Sequence, residues 1–213
     1  MAVERRYLPL QSTRHLGRTV QRYYFFTRYQ RLWGRPLHRP LAWITSGAPV
    51  EILRALGIDC VYPENFGAIC GARRVAPDLC RVAEAAGYSQ DLCSYARAGI
   101  GAALRPDLAP MGGLPRPDLL VTCNNICGTV LKWYEVLARR WHVPLFMIDT
   151  PFVAGEPEEH AVSYVRAQLR EMIAELERFT GRRLRAGQLR QRIMLSNEAV
   201  RLWGEIRGLC RAR

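Results

Sequence analysis

Between residues 41 and 149 the apolar positions gather into four short, nearly unbroken runs: LAWIT (41–45), IDCVY (58–62), DLLVTC (118–123) and PLFMID (144–149). Runs of this length with little polar alternation are the pattern of strands covered on both faces. The stretches between them follow a helical period instead. PVEILRAL (49–56), a segment from Phe66 to Ala86 closed by Gly87, DLCSYARAGIGAAL (91–104) with Asp91 at its N-cap, and GTVLKWYEVLARRW (128–141) each predict a helix. RPDLAPMGGLPRP (105–117) is a Pro/Gly-rich connection. Strands and helices alternating at this spacing imply right-handed crossovers and a parallel sheet, an α/β architecture.

The flanks differ. From Thr19 to Trp33 tyrosine, phenylalanine and leucine alternate with arginine at helical spacing, which predicts a basic, aromatic N-terminal helix within residues 1–40. After the α/β region (41–155), Pro157 with Glu158 and Glu159 opens a long helix. Its stripe is Val162, Val165, Leu169, Met172, Ile173, Leu176 and Phe179, and Gly181 stops it. A second helix, from about Ala186 to Cys210, carries Leu189, Ile193, Val200, Trp203 and Ile206. Residues 156–213 therefore read as a C-terminal helical hairpin. No internal repeat or low-complexity tract interrupts the chain.

Composition changes the picture in one respect. The hydrophobic share of 49% and charged share of 23% are ordinary for a globular protein. Lys+Arg outnumber Asp+Glu by 31 to 19, a net charge of +12, and Lys132 is the sole lysine. An arginine excess suits phosphate groups, which guanidinium grips bidentately, but a GC-rich genome also enriches arginine. Arginines interleaved with aromatics over residues 13–39 fit a nucleic-acid module; a docking helix whose aromatics pack on the domain while its arginines stay solvated is the preferred reading. No apolar stretch is long enough to span a membrane. The first residues lack a secretory signal, so a cytoplasmic protein is expected. Seven cysteines, at 60, 70, 80, 93, 123, 127 and 210, make an odd count that argues against a closed disulfide framework.

In an open parallel sheet, ligands sit beyond the carboxyl ends of the strands. The four expected strands lead, in turn, into SGAP (46–49), PEN (63–65), NNIC (124–127) and DTP (149–151), polar or reactive in every case. Cys123 closes a strand and reads as a small buried hydrophobe. Cys127 opens a helix, where the dipole and unpaired N–H groups favour thiolate. Three residues separate them, not the two of a thioredoxin-like pair, and no second pair completes a zinc ribbon. Cys93, near the start of another short helix, is a third thiol within reach of the same rim. Thiolates gathered from distant loops are the pattern of a cluster assembled in space.

SGAPVEILRALGI (46–58), VYPEN (61–65), GYSQDLCSYAR (87–97), CNNICGTVLKWYE (123–135) and VPLFMIDTPF (143–152) together resemble, in order, the signature blocks of the 2-hydroxyacyl-CoA dehydratase and benzoyl-CoA reductase family. The benzoyl-CoA reductase branch reads as slightly the nearer. The resemblance implies a flavodoxin-like domain and an oxygen-sensitive cytoplasmic enzyme of anaerobes. It further implies a [4Fe–4S] cluster held by three cysteines, whose fourth iron takes water or the substrate's thioester carbonyl. The implied substrate is an acyl-CoA, reduced by one electron. The implied partners are a homologous second subunit and an ATP-hydrolysing iron–sulfur activator. Cys93 and Cys127 match two cluster-ligand positions, and Ser46 and Glu64 match residues that contact the open coordination site or the substrate. The third cysteine is expected from a second α/β domain that would follow the helical hairpin. Cys210 matches no ligand position.

Blander readings stand beside these. Cys60, Cys70, Cys80 and Cys123 are expected in the core, Glu64 and Ser46 can serve as helix caps, and Asp149 can form an Asx turn. Three functions remain open: part of a [4Fe–4S] acyl-CoA dehydratase or reductase, which is preferred; a non-catalytic remnant or split-gene half that holds no cluster alone; and a basic nucleic-acid-binding protein.

Overall fold

A computed structural model describes residues 10–32 and 39–209. Residues 1–38 and 39–213 form two separate units. In the first, helix α1 (Gln11–Leu32) begins a full two turns before the expected Thr19. Thr19 and Thr27 donate their hydroxyls to the carbonyls four residues earlier, His15 and Tyr23, so both hydroxyls are satisfied within the helix. Tyr24 is buried, whereas Leu16, Val20 and Phe26 are exposed. Trp33 and the end of the basic segment lie outside the described residues.

The second unit is built on four strands: β1 (Leu41–Ile44), β2 (Asp59–Val61), β3 (Leu119–Cys123) and β4 (Leu145–Ile148). All pair in parallel in the order β2-β1-β3-β4, with Leu41 beside Asp59, Ala42 beside Leu119 and Leu120 beside Leu145. This is the parallel α/β sheet that the apolar runs and helical spacers predict, in the strand order of the flavodoxin-like domain that the resemblance implies. Every residue of β1, β2 and β3 is buried, as unbroken apolar runs require. One face of the sheet, carrying Ala42, Ile44, Leu119 and Val121, packs on Ile52 and Leu53 of α2 (Val50–Ala55) and on Met172 and Leu176 of α7 (Glu159–Thr180). On the other face Trp43 meets Trp141 edge-on, centroids 4.8 Å apart. Trp141 ends α6 (Gly128–Trp141), which also buries Trp133, Tyr134 and Leu137.

The long helix expected over 66–86 is two helices. α3 (Pro63–Ala72) stops at a turn in which Arg74 adopts φ 60°, and α4 (Ala76–Ala85) restarts with a proline in its first turn. The kink folds α4 back onto α5 (Ser94–Leu104), burying Phe66, Cys70, Leu79, Ala98 and Ala102 in a local core. The approach is close enough that a Cβ on Gly101 would stand 1.9 Å from the Leu79 carbonyl oxygen. α5 also begins later than expected. Asp91 belongs to a turn closed by its N–H on Ser89 Oγ (3.1 Å), and Cys93 takes the N-cap.

α8 (Ala186–Leu209) follows α7 after a turn through Gly181, whose φ of 66° suits glycine. Its first turns pack against α2 and add Leu189 to the core. Beyond them the expected stripe is bare: Ile193, Val200, Trp203 and Ile206 are all exposed. No helix among the described residues is long and apolar enough to cross a membrane.

Candidate functional site at the carboxyl rim

The strand order reverses direction between β1 and β3, and the carboxyl ends of the strands at such a switch point are where a parallel sheet offers its ligand crevice. Ser46 leaves β1 into this crevice and is exposed. Its backbone N–H donates to Glu64 Oε2 at 3.1 Å. Glu64 sits in the first turn of α3, where the helix dipole favours a carboxylate. The two residues that the resemblance matches to substrate or to an open iron site are therefore in direct contact across the β1 and β2 loops.

Gly47 is boxed in from the other side. A Cβ there would stand 2.6 Å from Cys123 Sγ and 3.1 Å from Asn125 Oδ1, so only glycine lets the β1 loop lie flat on the β3 loop. Cys123 is buried and shares a 3.5 Å hydrogen bond with the buried Thr45 hydroxyl, in keeping with a small core residue.

Cys127 is the N-cap of α6, with extended backbone, and its Sγ accepts the Val130 N–H at 3.4 Å. The thiol is exposed. It thus occupies the position where a serine or aspartate usually satisfies an orphan N–H. Cys93 is likewise exposed and likewise an N-cap, that of α5, with its side chain free of any cap bond. The first turn of α5 lies against α3. Tyr95 packs where a Gly67 side chain would be, at 2.9 Å, so the Cys93 loop abuts the helix that carries Glu64. Three other thiols are buried. Burial pushes Cys60 up to about 12 and Cys70 to about 11, and raises Cys80 as well, so these stay protonated.

One part of the rim is not marked by the residue spacing. Asn124 holds the β4 loop with its whole amide. Oδ1 accepts from the Thr150 N–H and hydroxyl, both at 2.8 Å, and Nδ2 donates to Asp149 Oδ1. Asp149 also accepts from Tyr164 of α7 at 2.6 Å, and its backbone N–H donates to Gln168 at 2.8 Å. Asp149 therefore anchors a network between three elements, not a local Asx turn. The Tyr164 hydroxyl is raised by that hydrogen bond, since losing its proton would set two anions side by side. The paired asparagines directly after an apolar run were the available signal. Among the described residues, no three His, Cys, Asp or Glu side chains converge as a metal-binding set.

Residues 45–213 match the model of a family described as 2-hydroxyglutaryl-CoA dehydratase, D-component. The chain is 39% identical over 171 residues to the (R)-2-hydroxyisocaproyl-CoA dehydratase alpha subunit of Clostridioides difficile, covering 78% of this chain and 40% of that one. It is 40% identical over 156 residues to the lactoyl-CoA dehydratase subunit alpha of Anaerotignum propionicum, covering 67% and 37%. A benzoyl-CoA reductase subunit of Thauera aromatica is 31% identical over 140 residues, covering 64% and 32%. These dehydratase subunits are thus more similar than the reductase subunit, against the expectation from the motif blocks. The chain spans about 40% of the length of the first of these relatives.

Proposed function

The chain belongs to the 2-hydroxyglutaryl-CoA dehydratase D-component family, and from that premise we propose that it forms the cluster-bearing part of a subunit acting on acyl-CoA thioesters. In this reading Cys93 and Cys127 supply two thiolates to a [4Fe–4S] cluster, and Ser46 and Glu64 face the thioester carbonyl. The whole enzyme is a 2-hydroxyacyl-CoA dehydratase, with benzoyl-CoA reduction as the neighbouring chemistry. It works with a homologous second subunit and an ATP-dependent iron–sulfur activator, in the cytoplasm of an anaerobe.

What supports the reading most is the Ser46–Glu64 hydrogen bond at the same crevice that receives the Cys127-capped helix. The two thiols are of the kind the group takes. Both thiols are exposed, both stand at helix N-termini, and neither is held in a disulfide. A third thiolate would come from outside the described residues. A bound cluster supplies one-electron chemistry and an iron with an exchangeable position, a Lewis acid for a carbonyl oxygen. The protein's own part is positional. Glu64, oriented by the Ser46 N–H through Oε2, keeps Oε1 available to take or return a proton at the substrate. The exposed Ser46 hydroxyl can donate to an oxygen that gains negative charge.

Anaerobic reconstitution with iron and sulfide tests this. Wild type should develop the brown absorbance and iron content of a cluster, and Cys93→Ala and Cys127→Ala should each lose most of it. Unchanged spectra in both variants would refute the ligand assignment. A wild-type chain that takes up no iron would favour the remnant or split-gene reading, which the limited span against the relatives also fits.

A further inference from the structure

The opposite end of the sheet carries a second concave site. Arg39 precedes β1, Arg54 and the Gly57 turn precede β2, and Arg182, Arg183, Arg185 and Arg192 come from the α7–α8 turn and the start of α8. Together these six arginines line a cavity of about 650 Å³, with Gln188 and Gln191 beside them. It opens at the amino ends of β1 and β2, so it is distinct from the crevice at their carboxyl ends.

The charge there is poorly compensated. Asp59 serves Arg54 at 2.7 Å and Arg39 at 3.8 Å, and Glu177 serves Arg183 at 2.7 Å. Arg182 is spent on a backbone carbonyl, that of Leu56, at 3.2 Å. Among the described residues Arg185 and Arg192 have no carboxylate partner. Six guanidiniums against two carboxylates leave four positive charges around one hollow. Gathering like charges is unfavourable unless an anion sits among them. The hollow is also built to hold its shape. Gly57, at φ 77°, leaves room for Arg182, whose Nη1 stands 2.0 Å from where a Cβ would be, and Arg39 Nε donates to the Gly57 carbonyl at 3.1 Å. The first N–H groups of α8, which begins directly after Arg185, add donors of the same sign.

We infer that this hollow binds a small polyphosphate-bearing molecule, on the scale of a nucleoside di- or triphosphate. Guanidinium forks match phosphate oxygens bidentately, and the volume falls within the range of small-ligand sites. A flat acidic protein surface would not need a concave site. The inference stands independently of the cluster, since no residue of the carboxyl rim takes part.

Calorimetric titration of the full chain with inorganic tripolyphosphate, and in parallel with ATP, tests it. Wild type should bind saturably, with affinity falling steeply as salt rises. The pair Arg185→Gln and Arg192→Gln, which removes the two unpartnered charges, should weaken binding on the order of tenfold or more. Arg139→Gln with Arg140→Gln, an equal loss of charge at the end of α6, should leave it nearly unchanged. Tighter binding of ATP than of tripolyphosphate identifies a nucleotide, and equal binding identifies the phosphates alone. The inference is overturned if wild type shows no saturable binding, if both pairs weaken it equally, or if poly-glutamate binds as tightly with the same arginine dependence.

Discussion

Replacing Gly101 with alanine probes the contact that sets the position of Cys93. In an exposed helix the change would add about 1 kcal/mol of stability, because glycine loses more backbone freedom on folding. Here the new Cβ would stand 1.9 Å from the Leu79 carbonyl oxygen and 2.7 Å from its carbon. A carbon and a carbonyl oxygen rest about 3.3 Å apart, so α5 must retreat from α4 by roughly 1.4 Å. The opposing atoms are backbone, which has no alternative rotamer, so the upper end of the usual overpacking cost applies, about 3 kcal/mol. The net loss is about 2 kcal/mol, or about 4–8 °C in Tm for a unit of this size. Urea unfolding followed by tryptophan fluorescence reads it, with Gly71→Ala in α3 as the companion, since nothing lies within 4 Å of that position. Gly71→Ala should match or exceed wild type. A Gly101→Ala chain as stable as wild type would refute the close approach of α4 and α5, and with it the placement of the Cys93 N-cap.

Other outcomes rest on the same geometry. Cys127→Ser should keep the stability of wild type while losing iron uptake, because a hydroxyl still accepts the Val130 N–H; Cys127→Ala should lose both, with the cap costing about 1 kcal/mol. Iodoacetamide treatment and then peptide mass mapping should show Cys93 and Cys127 modified well before Cys60, Cys70, Cys80 and Cys123, which are buried; rapid labelling of Cys60 would contradict the core. Glu177 is held below its usual 4.5 by the Leu184 N–H and Arg183, so its stabilising contribution is present above that value and is lost as pH falls through the lowered native one. Glu177→Gln should therefore be less stable than wild type at neutral pH, with the gap closing on acidification; a gap that widens in acid would reverse the sign of the argument.

β1 to β3 were legible because burial on both faces leaves a plain mark, and the expected 41–45 differs from Leu41–Ile44 by one residue; β4 was expected to be covered likewise, but its Leu145 and Phe146 are half-buried and Met147 is exposed. The break at Arg74 was not legible. A non-glycine residue in the left-handed region carries no composition signal, although Pro77 just beyond was a usable sign that a new helix starts. Cys127 at a helix start could be read from the apolar run before it and the amphipathic one after it. The Ser46–Glu64 contact could not, because it joins positions 18 residues apart and exists only through the parallel pairing of β1 with β2. Asp91 looked like a cap because its residue type favours one. Ser89 competes for it locally, and the cap passes to Cys93.

Gly47 and Cys123 touch across the floor of the crevice, with Asn125 beside them. Neither can drift on its own during evolution. A bulkier residue at 123 would strike the β1 loop, and any side chain at 47 would strike the sulfur. The two positions form a locked pair, so descendants of this sequence can reshape the crevice only through its walls.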